Sequence, residues 1–317
     1  MAPAVSIIMN CLDGARDLPH ALDSVKSQTF QDWEIIFWDN GSKDASAAIA
    51  QSFDQRLRYF KGEHTVPLGE ARNLAIAEAK GKYVAFLDCD DEWLPEKLQK
   101  QVEIFENDSE VGLVCTDTEI FSGARTLGRV FEASPPARGR VYDELIKRQW
   151  ISMSSAMASR KALDSILPEG DPAGWFDGRF ELCEEADVFY RIAYSWKLDY
   201  MPEALTRWRV HGQNSTFRNF ARFSAETRMI LEKHREIFPG FDEKHGDTAR
   251  LLLGRAAFQE AVALWKDGKN SEARAKIRPW LHLGPKYRIF WAAAFLPGSL
   301  FNAAAKAYFA LPGKFRR

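Results

Sequence analysis

Residues Tyr83-Val84-Ala85-Phe86-Leu87 form an apolar run that stops abruptly at Asp88-Cys89-Asp90-Asp91. The run reads as a buried strand, and two earlier runs, 5–9 and 33–38, read the same way. Between them lie segments of helical spacing. Residues 21–25 form one; 45–53 form another, with Asp44 as N-cap; 69–79 form a third, ended by Gly81. A short strand at 57–60, a helix over 96–105 and a strand at 112–115 continue the pattern. Strands alternating with helices specify an α/β domain with a mainly parallel sheet. Such sheets bind ligands at the carboxyl ends of their strands. Asp39, before the turn residues Asn40-Gly41-Ser42, and Asp88 both fall there.

The pattern changes near residue 220. Segments 223–238, 248–266 and 271–281 all read as helices, and the last two resemble a helix-turn-helix unit with Gly268 in the turn. The expected division is a catalytic α/β domain over 1–220 and a helical region over 221–317.

The 317 residues carry 43 Lys and Arg against 44 Asp and Glu, so no global charge directs the chain to nucleic acid. Of the 317 residues 22 are Phe and 10 Trp, which fill a core or present surfaces to sugar or lipid. Cys11, Cys89, Cys115 and Cys183 form no CxxC pair and match no zinc module, so they read as reduced, mostly buried thiols. The N-terminus lacks the basic flank and apolar core of a signal peptide. The apolar run over 289–296, ended by Pro297 and Gly298, is shorter than the about 20 residues that cross a bilayer. A cytoplasmic location follows as an expectation.

The acidic run needs a reason. Two carboxylates about 4 Å apart repel by roughly 4 kcal/mol at an effective dielectric near 20. A bound Mg²⁺ or Mn²⁺ relieves that repulsion, because hard cations take carboxylate oxygens together with substrate phosphates. The competing reading is a solvated acidic turn capping the helix that begins near Pro95.

Five stretches, in order, resemble the inverting glycosyltransferases of family 2, which have the GT-A fold. They are Val5-Ser6-Ile7-Ile8-Met9-Asn10-Cys11, Ser24-Val25-Lys26-Ser27-Gln28-Thr29-Phe30, Trp38-Asp39-Asn40-Gly41-Ser42-Lys43-Asp44, Gly69-Glu70-Ala71-Arg72-Asn73 and Phe86-Leu87-Asp88-Cys89-Asp90-Asp91-Glu92-Trp93. The resemblance implies a nucleoside-diphosphate sugar donor, UDP-linked by default, with dTDP and GDP as alternatives. It places Asn10, Leu12, Asp39, Asn40, Arg72, Asp88 and Arg209 around the nucleotide. A structural ion pair is the competing role for Arg72. Asp90 and Asp91, with His211, are the implied metal ligands. Leu12 stands where the family often has an aromatic residue, Asn40 where it often has a second Asp, and Asp13 where Asn is common.

An inverting transfer needs a general base for the acceptor hydroxyl. In the family a carboxylate six residues before a helical Arg serves, and counting back from Arg191 reaches Glu185. Glu184 and Asp187 are its rivals, and acids in a first helical turn also favour the helix dipole with no catalytic role. The segment Trp208-Arg209-Val210-His211-Gly212-Gln213-Asn214-Ser215 resembles the one that lies over the diphosphate. No acidic residue follows Glu272, and the remaining chain interleaves basic with aromatic side chains. That composition suits an anionic membrane surface or a helical lid packed on the catalytic domain. The resulting expectation is a metal-dependent enzyme, peripheral on the inner face of the membrane, with a saccharide or lipid-linked saccharide acceptor of bacterial surface assembly. A nucleotidyltransferase and a non-catalytic nucleotide-sugar-binding protein are the alternatives. Residues 120–180 carry no readable motif, so donor sugar, acceptor and linkage stay open.

Overall fold

A computed structural model describes residues 2–132, 134–167, 174–211 and 220–297. Its strands are β1 (Val5–Cys11), β2 (Trp33–Asp39), β3 (Leu57–Lys61), β4 (Tyr83–Phe86), β5 (Glu92–Trp93), β6 (Val111–Ser122), β7 (Arg125–Arg129), β8 (Met157–Ser159) and β9 (Lys197–Arg209). Its helices are α1 (Leu18–Lys26), α2 (Ser46–Gln51), α3 (Leu68–Glu78), α4 (Lys97–Asn107), α5 (Tyr142–Lys147), α6 (Arg160–Ser165), α7 (Glu184–Ser195), α8 (Phe220–Ile237), α9 (Phe241–Lys266), α10 (Asn270–Ile277) and α11 (Pro285–Ala293).

The strands form one sheet in the order β3-β2-β1-β4-β8-β6-β9-β5, with β7 beside β6. The β3-β2-β1-β4 half is parallel. β8 turns the sheet antiparallel, and β6 and β9 then run parallel to each other. Every residue of β1 is buried, and β4 is buried throughout. This is the continuous apolar pattern of a sheet covered on both faces. The core joins these strands to Leu18, Leu22 and Val25 of α1 and to Leu98, Val102 and Phe105 of α4. The α/β expectation therefore holds.

Several local expectations shift. α2 starts at Ser46, and Asp44 Oδ1 accepts from its backbone N–H at 2.9 Å, so the cap acts from two residues upstream. α3 ends at Glu78, with Ala79 as its extended C-cap, before Gly81. Gly81 serves close approach instead: a Cβ there would lie 2.5 Å from the Ser6 nitrogen. The strand expected at 112–115 extends to Ser122, and β5, β7, β8 and β9 had no counterpart in the apolar pattern. Those strands are short or only half-buried, which removes the signal that buried strands carry.

The chain divides into two compact units, Met1–Gln213 and Asn214–Arg317. The described part of the second is helical. The kink in α9 falls at His245, where φ is −126° and ψ 17°. The helix expected over 271–281 is interrupted: α10 stops at Ile277 and a 3-10 turn, Arg278–Leu283, replaces it. Pro279 supplies no backbone N–H there. Gly268 takes a φ of +76° in the turn before α10. No described helix is long and apolar enough to cross a membrane.

Candidate active site

The carboxyl ends of β1, β2 and β4 lie side by side, because β1 pairs in parallel with both neighbours. Asn10 is buried at the end of β1, and its amide nitrogen has no hydrogen-bond partner among the described residues. Leu12, next along, is exposed. The loop after it is pinned to the loop after β2. Asp13 Oδ1 accepts from Lys43 N at 2.7 Å, Gly14 N donates to Ser46 Oγ at 3.0 Å, and Ala15 N donates to Asp44 Oδ2 at 2.9 Å. Asp13 itself is left-handed, with φ +53°.

Asp39 is almost fully buried. Its Oδ2 accepts from Tyr59 OH at 2.7 Å and its Oδ1 from Ser42 N at 2.8 Å. Burial works to raise its carboxyl, but these hydrogen bonds outweigh it and hold the group below the usual carboxylate range. Asn40 clamps the following loop through both amide atoms, donating to Val66 O at 2.8 Å and accepting from Val66 N at 3.1 Å.

The acidic run forms a tight turn, closed by Asp91 N donating to Asp88 O at 3.1 Å. Its three carboxylates have different surroundings. Asp88 faces Arg72, at 3.2 Å. Asp90 Oδ2 lies 2.9 Å from His211 Nε2. Asp91 is buried, with Oδ2 accepting from Ser154 Oγ at 2.6 Å and Oδ1 from Arg209 N at 2.9 Å. Burial, with the charges of Asp90 and Asp88, pushes the Asp91 carboxyl well up. Ser154 also accepts from Asp88 N at 3.1 Å, so one hydroxyl ties both ends of the turn. Nothing in the run 152–155 marks Ser154 as part of the site; only its place under the turn does.

Arg72 is buried and joins the two halves of the site, meeting Asp88 on one side and Glu184 Oε1 at 2.8 Å on the other. Arg209 is held by Glu92 and by the carbonyl of Asp90, at 2.9 Å from its Nε. The side chains of Arg72 and Arg209 are thus both engaged with acids of the site.

The three acids at the start of α7 separate by burial. Asp187 is fully buried and bridges to Arg191 at 2.9 Å. Glu184 is buried against Arg72. Glu185 alone keeps part of its surface open. Burial raises its carboxyl to about 8, Glu184 and Asp88 add to the rise, and Arg72 opposes it.

No cluster of three or more His, Cys, Asp or Glu side chains arranged for a metal occurs among the described residues. Asp90 and His211 are adjacent hard-oxygen and imidazole donors, 2.9 Å apart. Such a pair fits a divalent cation that takes its remaining ligands from substrate phosphate and water.

The family model described as glycosyl transferase family 2 matches residues 6–167. The chain belongs to glycosyltransferase family 2. It is 30% identical to an uncharacterized glycosyltransferase of Nostoc, over 79% of each chain. It is 28% identical to the Escherichia coli UDP-Glc:alpha-D-GlcNAc-diphosphoundecaprenol beta-1,3-glucosyltransferase WfgD, over 50% of this chain and 62% of that one. Two solved structures share its GT-A fold. Staphylococcus aureus TarS matches with a TM-score of 0.64 at 16% identity, over 93% of this chain and 55% of TarS. The Pyrobaculum calidifontis mannosyltransferase PcManGT, solved with GDP-Man and Mn²⁺, matches with a TM-score of 0.62 at 17% identity, over all of this chain and 83% of that one. The family 2 chain is thus a glycosyltransferase with the GT-A architecture expected from its sequence.

Proposed function

We propose that this chain is an inverting, metal-dependent hexosyltransferase that uses a nucleoside-diphosphate sugar, UDP-linked by default, and a hydroxyl acceptor of bacterial surface polysaccharide or glycolipid assembly. The observation that carries the reading is Glu185: a half-open carboxyl raised to about 8, linked through Glu184 and Arg72 to Asp88 at the strand ends. A base works best when its pKa lies near the working pH.

In this reading the floor formed by Asn10, Leu12, Asp39 and Asn40 receives the nucleoside. The unsatisfied amide of Asn10 offers it a donor. Asp88 takes the ribose side. Asp90 and His211 hold the divalent cation, Mg²⁺ or Mn²⁺, and Asp91 braces the turn from beneath. The cation, when bound, offsets the charge of the diphosphate. Glu185 removes the proton of the acceptor hydroxyl as that oxygen attacks the anomeric carbon from the face opposite the diphosphate. Arg72 keeps the charge of the base helix and of Asp88 balanced, and Arg209 holds the backbone of Asp90. WfgD's name includes a UDP sugar and a lipid-linked acceptor, and PcManGT was solved with GDP-Man, so both donor classes belong in a test.

The membrane reading draws support from α11 and the residues that follow it. Ile289 in the helix and Phe295 and Leu296 after it are exposed, and Arg274 lies 4.2 Å over the Phe295 ring. Residues 298–317, which hold the rest of the basic aromatic tail, lie outside the described residues, as do Gly212, Gln213, Asn214 and Ser215.

The test is incubation with a panel of UDP-, GDP- and dTDP-sugars and Mg²⁺ or Mn²⁺, read by product release. Nucleoside diphosphate is expected, abolished by chelation and in Glu185→Gln and Asp90→Ala proteins that melt as folded chains. Release of pyrophosphate, or wild-type turnover by Glu185→Gln, would overturn the assignment.

A further inference from the structure

Cys11 ends β1 and Cys89 sits within the acidic turn after β4. The parallel register pairs Val5 with Tyr83 and Ile8 with Phe86. The ladder continues, since Leu87 N donates to Ile8 O at 3.0 Å. β1 ends at Cys11 and β4 at Phe86, so the turn that holds Cys89 starts beside the end of β1.

The sulfurs also face each other. A Cβ added at Gly14 would lie 2.8 Å from Cys11 Sγ and 2.8 Å from Cys89 Sγ. The sulfurs are therefore no more than twice that distance apart, packed beneath a glycine that leaves them room. Cys11 is buried, whereas Cys89 is partly exposed. One thiol is reachable by a small solute and the other is placed to resolve it.

We propose that Cys11 and Cys89 are an oxidisable dithiol, closed to a disulfide by a hydroperoxide. One sulfur of the pair attacks one peroxide oxygen, and the O–O bond breaks. With hydrogen peroxide, one water leaves and that cysteine becomes a sulfenic acid. The other sulfur then attacks the oxidised one, and the hydroxyl departs with the second thiol's proton as a second water. Two thiols are oxidised by two electrons and one peroxide is reduced. Cys115 and Cys183 are both buried and have no part in it.

The cross-link would join the two loops that form the site. Cys11 O accepts from Asn40 N at 2.8 Å, so Cys11 is tied to the loop after β2. Cys89 lies between Asp88 and Asp90. Drawing the sulfurs into a bond shifts the acidic turn against the nucleoside floor and lowers affinity for a nucleoside diphosphate. This effect on affinity rests on the function proposed above; the cross-link itself does not.

The experiment treats the full chain with hydrogen peroxide and maps its peptides by mass spectrometry without reduction. Binding of UDP, GDP and dTDP is measured by calorimetry before oxidation, after it, and after dithiothreitol. A Cys11–Cys89 peptide is expected, absent from Cys11→Ala and Cys89→Ala chains, with affinity lost on oxidation and restored on reduction. The second variant keeps the test intact if the first, at a buried site, does not fold. Separate oxidation of the two sulfurs to sulfinic acids with no cross-linked peptide overturns the proposal. A cross-link that leaves affinity unchanged overturns the coupling. A chain that cross-links but binds none of the three nucleotides before oxidation supports the dithiol and counts against the proposed function.

Discussion

Ser154 and Glu185 carry different kinds of demand at the scale of single residues. Ser154 Oγ donates to the buried Asp91 carboxylate at 2.6 Å and accepts from Asp88 N at 3.1 Å. Removing it leaves a buried acceptor short of a donor, which costs about 1–3 kcal/mol. Ser154→Ala is expected to lower stability by that amount in denaturant titration and to weaken donor binding, since the turn that presents Asp90 loses its tie. Glu185 gives a pH dependence. Its carboxyl is raised from an ordinary 4.5 to about 8 in the folded chain. Between those values the folded state keeps a proton that the unfolded chain has released, so the stability it contributes is full at low pH and is lost as pH rises toward about 8. Glu185→Gln should flatten that part of the stability profile. Transfer runs the other way: kcat/KM is expected to climb through the same range as the base ionises, and a flat profile would count against Glu185.

At the scale of elements, the amino ends of the strands matter as much as the site at their carboxyl ends. Ser6 Oγ donates to Glu34 Oε1 at 2.7 Å and accepts from Gly81 N at 2.7 Å, which ties β1, β2 and the approach to β4 together. Glu34 Oε1 also accepts from Lys80 N at 2.9 Å. A Cβ at Gly81 would press on the Ser6 nitrogen at 2.5 Å and on the Tyr83 carbonyl at 2.9 Å. Backbone atoms yield less readily than side chains, so Gly81→Ala should destabilise the chain by about 1–3 kcal/mol or more, as overpacking does. Differential scanning calorimetry checks this, with activity per folded molecule expected to stay near wild type. The alternation of buried strand and helix was legible here because burial on both faces leaves a continuous apolar signature. β9 left none: it mixes Lys197, Asp199, Pro202 and Glu203 with apolar residues, and its register against β6 shifts around Asp117. Yet β9 delivers Arg209 to the site.

For the whole molecule, each unit has its own apolar cluster. One is built on β1, β2, β4 and the helices α1 and α4, the other on α9, α10 and α11 through Trp265, Ile277 and Phe290. In the second unit no acidic residue follows Glu272 while Lys and Arg continue to the C-terminus, and Ile289, Phe295 and Leu296 are exposed. Each cation near an anionic surface contributes about 1 kcal/mol. The full-length chain is therefore expected to float with vesicles containing anionic lipid, to release them at high salt, and to float poorly when residues 285–317 are removed. Equal flotation with neutral vesicles would reject the electrostatic part of that reading.

The amino-acid sequence by itself determined the α/β class, the family and the position of the acidic run at a strand end. Those depend on local periodicity and on motifs read within a few residues. It also brought Asp39, Asp88 and Glu185 forward as candidates. Only the tertiary structure decided what each acid touches. Arg72 meets Glu184 across 112 positions of sequence, Asp91 turns inward to Ser154 across 63, and His211 reaches Asp90 across 121. Such partners follow from strand order and burial, which bring distant segments together and impose the desolvation that sets apart neighbouring carboxyls of the same chemistry.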